Sequence, residues 1–237
     1  MIVLSGATLV LPDRLLSPGT LVIDHGRIVE IRSGQAAGGH GHPAFAFHGH
    51  YIVPGFIDVH VHGVEGSDAL GGAGAVDAMA ERLPGYGVTA FCPTSVACHP
   101  AELTAMLAQV RAARETAAPG AARVLPAHIE SHFINPEYRG AQPASCLRSP
   151  AGLMFERLVH ADTAHPVPET DGPFTAADVI AAIDRHAPDV GIVTLASELP
   201  GGIDLIRWLT SRGHRVSLGH SAATFEQGCE AIDAGAR

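Results

Sequence analysis

The pattern of apolar and polar positions changes near residue 51. The first 50 residues hold short β-rich apolar runs, and two of these flank the segment Asp24-His25-Gly26-Arg27. Two such runs joined by a short turn containing glycine predict a β-hairpin. We therefore predict that residues 1–50 form a small, partial β-sandwich-like domain, too short to bury much core alone.

From Tyr51 onward, apolar runs alternate with helical patterns. This alternation predicts parallel strands joined by right-handed crossovers. A closed (β/α)₈ barrel needs eight such units and about 250 residues. Residues 51–237 are therefore predicted to be the N-terminal part of an α/β fold, an incomplete TIM (β/α) barrel of about five βα units; an open doubly wound sheet is the alternative. The predicted strands are 52–61, 88–93, 123–129, 191–195 and 215–218, and the predicted helices are 73–83, 100–114, 176–185, 202–212 and 224–234.

Composition narrows the choice of partners. Hydrophobic residues make up 46% of the 237 residues and charged residues 16%, which suits a folded chain with a sizeable core. The formal net charge of −9 argues against nucleic acid and anionic membrane surfaces as partners. No apolar run is long enough for a membrane span. The four cysteines lack C-x-x-C spacing, which predicts free thiols in a reducing cytoplasm.

Two of the fifteen histidines end the first predicted barrel strand, in Asp58-Val59-His60-Val61-His62-Gly63. Residues two apart on a strand face the same side, so His60 and His62 project together at the strand end. Neutral imidazole is the commonest metal ligand, and two adjacent rings can share one divalent cation. The alternative is a pair of histidines satisfied within the core.

Glu130 ends the third predicted strand, in Ala127-His128-Ile129-Glu130-Ser131-His132-Phe133. A carboxylate at the end of an apolar strand is costly unless it is paired or binds a metal. Glu130 offers the hard oxygen that zinc and iron sites combine with imidazole. His128 and His132 share its strand parity, so parity does not select the ligand. A structural ion pair is the alternative role for Glu130.

His220 ends the fifth predicted strand, directly after Gly219, which allows close approach of backbone or ligand. Ser221 is equally open to a functional role and to capping the next helix. Glu198, after the fourth strand, has two interpretations. It orients a histidine ligand through the ring N–H, or it is a surface residue of the loop.

Together these motifs resemble the amidohydrolase superfamily and, within it, the N-acetylglucosamine-6-phosphate deacetylase family. The segments that carry the resemblance fall in order across residues 52–237, and their combination is far more specific than any single one. They read PGFIDVHVHG at 54–63, GVTAFCPT at 87–94, HIESHFINPEYRGAQP at 128–143, VTLASE at 193–198 and SLGHSAAT at 217–224.

The resemblance implies metal-dependent hydrolysis of the acetamide of N-acetylglucosamine 6-phosphate, giving glucosamine 6-phosphate and acetate in amino-sugar catabolism. It implies one or two divalent ions, zinc first with iron or manganese as alternatives, an amino-sugar phosphate substrate and a homo-oligomer. His60 and His62 would hold a second ion or orient the carbonyl. The implied metal residues are Glu130, His220, His60 and His62, and the implied substrate contacts are Ala141 and Gln142.

The chain also departs from the family pattern. His132 follows Glu130 closely where many members have a Gly-Pro pair, and the region 144–175 is longer than usual. The family's catalytic aspartate falls beyond Arg237, so the chain is expected to be a fragment or shortened form. No catalytic residue is assigned, although Asp58 faces the same side as His60.

Two alternatives therefore accompany the deacetylase interpretation. Another amidohydrolase branch, such as a cyclic amidase or nucleobase deaminase, is disfavoured by the segment NPEYRGAQ at 135–142. A non-catalytic metal-binding or interaction protein is favoured by the missing strands. Because an open sheet leaves edge strands unpaired, oligomerisation or aggregation is expected in either case.

Overall fold

A computed structural model describes residues 1–35, 42–130, 132–153, 155 and 172–237 of the chain. The chain divides into two compact units, Met1–Gly55 and Phe56–Arg237. Within the described ranges, every helix is too short or too polar to cross a membrane.

The first unit is a five-stranded sheet in which β1 pairs antiparallel with β2 and parallel with β4 and β5. The predicted hairpin is confirmed, because Asp24 and Arg27 face each other where β2 turns into β3. The two turn residues between them have positive φ, as hairpin turns of this length require. The strands are β1 Ile2–Val10, β2 Leu15–Asp24, β3 Arg27–Ser33, β4 Ala44–Ala46 and β5 Tyr51–Ile52.

The second unit is built on a parallel sheet, as the strand–helix alternation predicts. Its main strands lie in the order β6, β9, β11, β12, β13, each paired in parallel with the next. The α/β class is confirmed, and the sheet is a curled parallel half-barrel. The strands are β6 Phe56–Val61, β7 Gly63–Val64, β8 Ser67–Asp68, β9 Val88–Ser95, β10 Arg123–Val124, β11 Ala127–Glu130, β12 Val190–Leu195 and β13 Arg215–Leu218.

The finer count of five βα units is not confirmed. The strand predicted over 123–129 is split into β10 and β11, because Leu125 donates its N–H to the Phe91 carbonyl and Pro126 has no N–H to continue the ladder. An antiparallel ribbon, β7 with β8, also separates β6 from its helix. Residues 154 and 156–171 of the region 144–175, which is longer than usual for the family, lie outside the described residues.

Reciprocal capping boxes mark where three of the described helices begin. Thr175 and Asp178 form one reciprocal capping box, and Thr224 and Gln227 form another. The interpretation of Ser221 as the cap of the last helix is therefore wrong, because Thr224 takes that place. The helices are α1 Ala75–Arg82, α2 Pro100–Glu115, α3 Ala176–Arg185, α4 Gly202–Ser211 and α5 Phe225–Asp233, with 3₁₀ turns at Leu83–Tyr86, Pro136–Tyr138, Ala144–Cys146 and Ala187–Asp189.

Candidate metal centre

The carboxyl ends of three parallel strands bring the predicted metal residues together. Glu130 is the last residue of β11, His60 lies in β6 with His62 just after it, and His220 lies two residues beyond β13. Oε1 of Glu130 is 3.0 Å from Nε2 of His220 and 3.5 Å from Nε2 of His60. Oε2 is 3.2 Å from Nε2 of His62. All four predicted residues therefore meet at one carboxylate.

The second nitrogen of two of these rings faces a backbone carbonyl. Nδ1 of His62 lies 3.1 Å from the Thr94 oxygen, and Nδ1 of His220 lies 2.7 Å from the Tyr138 oxygen. A carbonyl only accepts, so the single proton of a neutral ring belongs on Nδ1. The Nε2 lone pairs of both rings then face the oxygens of Glu130. Two sets of lone pairs repel, and only added protons or a cation between them relieves the conflict.

The charge states reflect the same conflict. The hydrogen bond to Glu130 raises the pKa of His62. Burial works to raise the pKa of Glu130, but hydrogen bonds from His62 and His220 outweigh it and hold this pKa at about 2. The carboxylate is therefore ionised at neutral pH and attracts positive charge to the cluster.

The spacing of the donor atoms fits a divalent ion. Ligands bound at about 2.0–2.2 Å in a tetrahedral set lie about 3.3–3.6 Å apart. Nε2 of His60 and Nε2 of His62 are 3.2 Å apart, and the contacts with Glu130 span 3.0–3.5 Å. The candidate ligand atoms of His60, His62 and Glu130 all lie within 4.8 Å of one another. Imidazole nitrogen with carboxylate oxygen is also the donor set that zinc takes.

Neighbouring strands decide which residue of β11 faces the cluster. His128 uses both ring nitrogens elsewhere: Nδ1 is 2.8 Å from the Val59 oxygen, and Nε2 is 2.7 Å from the Thr194 hydroxyl. Its ring packs edge-on against His60, with centroids 4.8 Å apart, and burial lowers its pKa. Among the residues of equal parity, Glu130 is thus the one that meets His60 and His62.

His132 faces a different part of the unit. It is fully buried, with Nε2 2.7 Å from the Cys98 oxygen, and burial lowers its pKa to about 4. Ser131, between it and Glu130, lies outside the described residues.

The implied substrate contacts lie beside the carboxylate. Ala141 is exposed, whereas Gln142 is buried and donates its side-chain N–H to Oε2 of Glu130. Oε1 of Gln142 accepts a hydrogen bond of 2.7 Å from the Ala97 backbone amide. No sequence pattern predicts this contact, because an amide in a polar loop has the same pattern whether it meets a ligand or a carboxylate.

Two further carboxylates lie near the centre. Oδ1 of Asp58 accepts a hydrogen bond of 3.0 Å from the His60 backbone amide. Glu198 accepts hydrogen bonds from Asn135, Ser221 and the Ala222 amide rather than from a histidine ring. Burial acts to raise the pKa of Glu198, but these hydrogen bonds outweigh it and lower that pKa. Glu198 therefore holds loops together and does not orient a ring through its N–H.

No protein-family model matches the chain. The N-acetylglucosamine-6-phosphate deacetylase of Mus musculus is 34% identical over 244 residues, covering 99% of this chain and 51% of that protein. The enzyme of the same name from Vibrio furnissii is 33% identical, covering 78% and 41%. The N-acetylgalactosamine-6-phosphate deacetylase of Escherichia coli O157:H7 is 32% identical, covering 78% and 43%.

Solved structures share the fold. The N-acetylglucosamine-6-phosphate deacetylase of Pasteurella multocida superposes with a TM-score of 0.79 at 20% identity, covering 99% of this chain and 55% of that one. The Mycobacterium smegmatis enzyme superposes with a TM-score of 0.74 at 23% identity, covering 100% and 59%.

The half-barrel and the carboxylate–imidazole cluster at its strand ends define the chain as an amidohydrolase-type protein with a candidate metal site. Along nearly all of its length it is a homologue of the N-acetylglucosamine-6-phosphate deacetylases, so the predicted family is confirmed. The chain spans about half the length of the curated relatives it matches.

Proposed function

We propose that this chain carries the metal-binding part of a deacetylase that hydrolyses the acetamide of N-acetylglucosamine 6-phosphate to glucosamine 6-phosphate and acetate. The observation that carries the proposal is the convergence of three imidazoles on the ionised Glu130. We infer that Glu130, His220, His60 and His62 hold one or two divalent ions, zinc first, with iron or manganese as alternatives.

A divalent ion held by Glu130, His220, His60 and His62 would supply Lewis-acid chemistry that activates water and polarises the acetyl carbonyl. The chain's own residues prepare the place for it. The carbonyls of Thr94 and Tyr138 fix the ring protons of two histidines, so that their lone pairs face inward. Glu130 supplies the negative charge. Proton transfer to the leaving amine is assigned to no residue of the chain.

Substrate class and context are part of the same proposal. Ala141 and Gln142 are the proposed substrate contacts, and Gln142 would reach the substrate from beside Glu130. Relatives named for the gluco and the galacto substrate match at similar identity, so both amino-sugar phosphates are tested. The four cysteines are free thiols, which suits the predicted reducing cytoplasm. A homo-oligomer stays a prediction.

Metal titration is the decisive experiment. Metal-free protein is titrated with Zn²⁺, Fe²⁺ and Mn²⁺ in competition with a chromophoric chelator, and acetate release from both sugar phosphates is then measured. Glu130→Gln should lose the binding, and Glu137→Gln, at an exposed position nearby, serves as the matched control. A wild-type chain that binds none of these ions would refute the metal centre. Tight binding without acetate release favours the non-catalytic metal-binding form.

A further inference from the structure

The backbone of His220 adopts a conformation that its surroundings must maintain. Its φ is 51°, in the left-handed region that is uncommon for residues other than glycine, although histidine adopts it more often than most. Strained backbone of this kind persists only where neighbouring contacts over-determine it, and it clusters at functional sites. Here it accompanies the contact of the His220 ring with Glu130, at 3.0 Å.

One side of His220 is held by the segment after β11. The Asn135 amide donates to the His220 carbonyl at 3.0 Å, and the Tyr138 carbonyl accepts from Nδ1 of the ring at 2.7 Å. Asn135 also caps the short Pro136–Tyr138 helix, since its Oδ1 accepts from the Glu137 amide at 3.0 Å. This segment therefore fixes both the backbone and the ring of His220.

The other side is held by a single carboxylate on the loop after β12. Glu198 accepts from the Asn135 side chain at 3.0 Å, from the Ser221 hydroxyl at 2.6 Å and from the Ala222 amide at 2.7 Å. These donors belong to the two segments that enclose His220. One ionised side chain thus ties the residues directly after His220 to the residue that holds its carbonyl.

We propose that Glu198 is a positioning residue, which locks the loop after β13 against Asn135 so that the His220 ring is presented to Glu130. The expected change in zinc binding rests on the proposed metal centre. The fixed orientation of the His220 ring does not depend on an ion. Both oxygens of Glu198 accept hydrogen bonds. Glu198→Gln removes the negative charge and can satisfy Ser221 only if that hydroxyl reverses from donor to acceptor, so it should loosen the lock while preserving the shape.

The test uses two readouts on the full chain. The first is the zinc affinity of metal-free protein, measured by chelator competition. The second is the NMR signal of the His220 ring nitrogens without metal, assigned by its loss in His220→Gln. We expect Glu198→Gln to weaken zinc binding about 10- to 100-fold, as changes behind metal ligands do, and Ser221→Ala to weaken it less. Without metal, the proton fixed on Nδ1 of His220 should become averaged between the nitrogens.

Controls separate this role from general effects. Glu198 and Glu230 line one surface cleft. Glu230→Gln removes the same charge from that cleft at an exposed residue, and it should change neither readout. Equal losses in Glu230→Gln and Glu198→Gln would overturn the proposal, as would a Glu198→Gln protein that matches the wild type in both readouts. If Glu198→Gln fails to fold, the same readouts on Ser221→Ala decide.

The two proposals also fail separately. A wild-type chain that binds no zinc, combined with a His220 ring released by Glu198→Gln, refutes the metal centre and retains the positioning role. A wild-type chain that binds zinc tightly, combined with a Glu198→Gln variant that is unchanged in both readouts, refutes the positioning role and retains the metal centre.

Discussion

Strands β11 and β6 contribute to the same cluster but receive very different support. All four residues of β11 are buried, and the strand lies between β9 and β12. In contrast, β6 pairs with β9 and with no second strand among the described residues. Its Phe56, Ile57 and Val59 are 59%, 60% and 50% exposed. Packing therefore fixes the carboxylate end of the site, while the H-x-H end lies on an unprotected edge.

Glu130 should give the largest effect, because it meets every histidine of the cluster. Glu130→Gln removes the charge that the rings surround, and we expect zinc affinity to fall by more than the 10- to 100-fold typical of residues behind metal ligands. His62→Gln should weaken binding less, because it leaves Glu130, His60 and His220 in place. Calorimetric titration of both variants measures the ranking, and a stronger effect from His62→Gln would contradict it.

Two isoleucines test the difference in packing directly. Ile129 in β11 is fully buried, whereas Ile57 in β6 is 60% exposed. Ile129→Ala should lower the free energy of unfolding by about 2–5 kcal/mol, because it leaves a cavity in the core. Ile57→Ala should change it by no more than about 0.5 kcal/mol. Urea denaturation followed by circular dichroism measures both, and similar losses would mean that β6 is covered in solution.

The same contrast explains how far sequence alone could predict the site. The H-x-H pair was predictable because strand parity is a local property, and both rings do face the Glu130 carboxylate. Parity could not choose between His128, Glu130 and His132. That choice depends on partners distant in sequence: Val59 and Thr194 engage His128, and Cys98 engages His132.

The prediction of helices and strands from the sequence has the same limit. Helix positions followed from apolar periodicity, and α3 spans the predicted residues 176–185. The split of the strand predicted over 123–129 follows from the missing N–H of Pro126, which apolar periodicity does not register. The hydrogen bonds from Asn135 and Ser221 to Glu198 likewise join loops that lie far apart in sequence.

Substitution of Gln142, which contacts Glu130 at the end of the buried strand β11, should have a smaller effect than the changes at Glu130 and Ile129. Its amide joins Glu130 to the Ala97 backbone, so Gln142→Met leaves a buried N–H without its acceptor and a carboxylate without one donor. Loss of such a buried partner costs about 1–3 kcal/mol of stability. Thermal unfolding of the metal-free protein measures this loss. Gln142→Glu keeps the acceptor for Ala97 and adds a second negative charge beside Glu130, a repulsion that a cation relieves, so it should bind zinc more tightly than Gln142→Met does.

The open edge of β6 should affect association rather than folding. Unpaired strand edges and exposed apolar side chains favour pairing with another chain, so we expect the wild-type chain to self-associate. Ile57→Lys places a charge on that edge and should raise the dissociation constant at least about tenfold, which corresponds to about 1.4 kcal/mol. Light scattering across a concentration series measures this change.

Ala105→Lys, at an exposed position of α2, adds the same charge away from the edge and should leave association unchanged. A wild-type chain that stays monomeric at every concentration would show that the β6 edge is protected within one molecule. If Ile57→Lys and Ala105→Lys reduce association equally, net charge rather than the edge controls it. Only a selective effect of Ile57→Lys would assign the contact to β6, the strand that also carries His60.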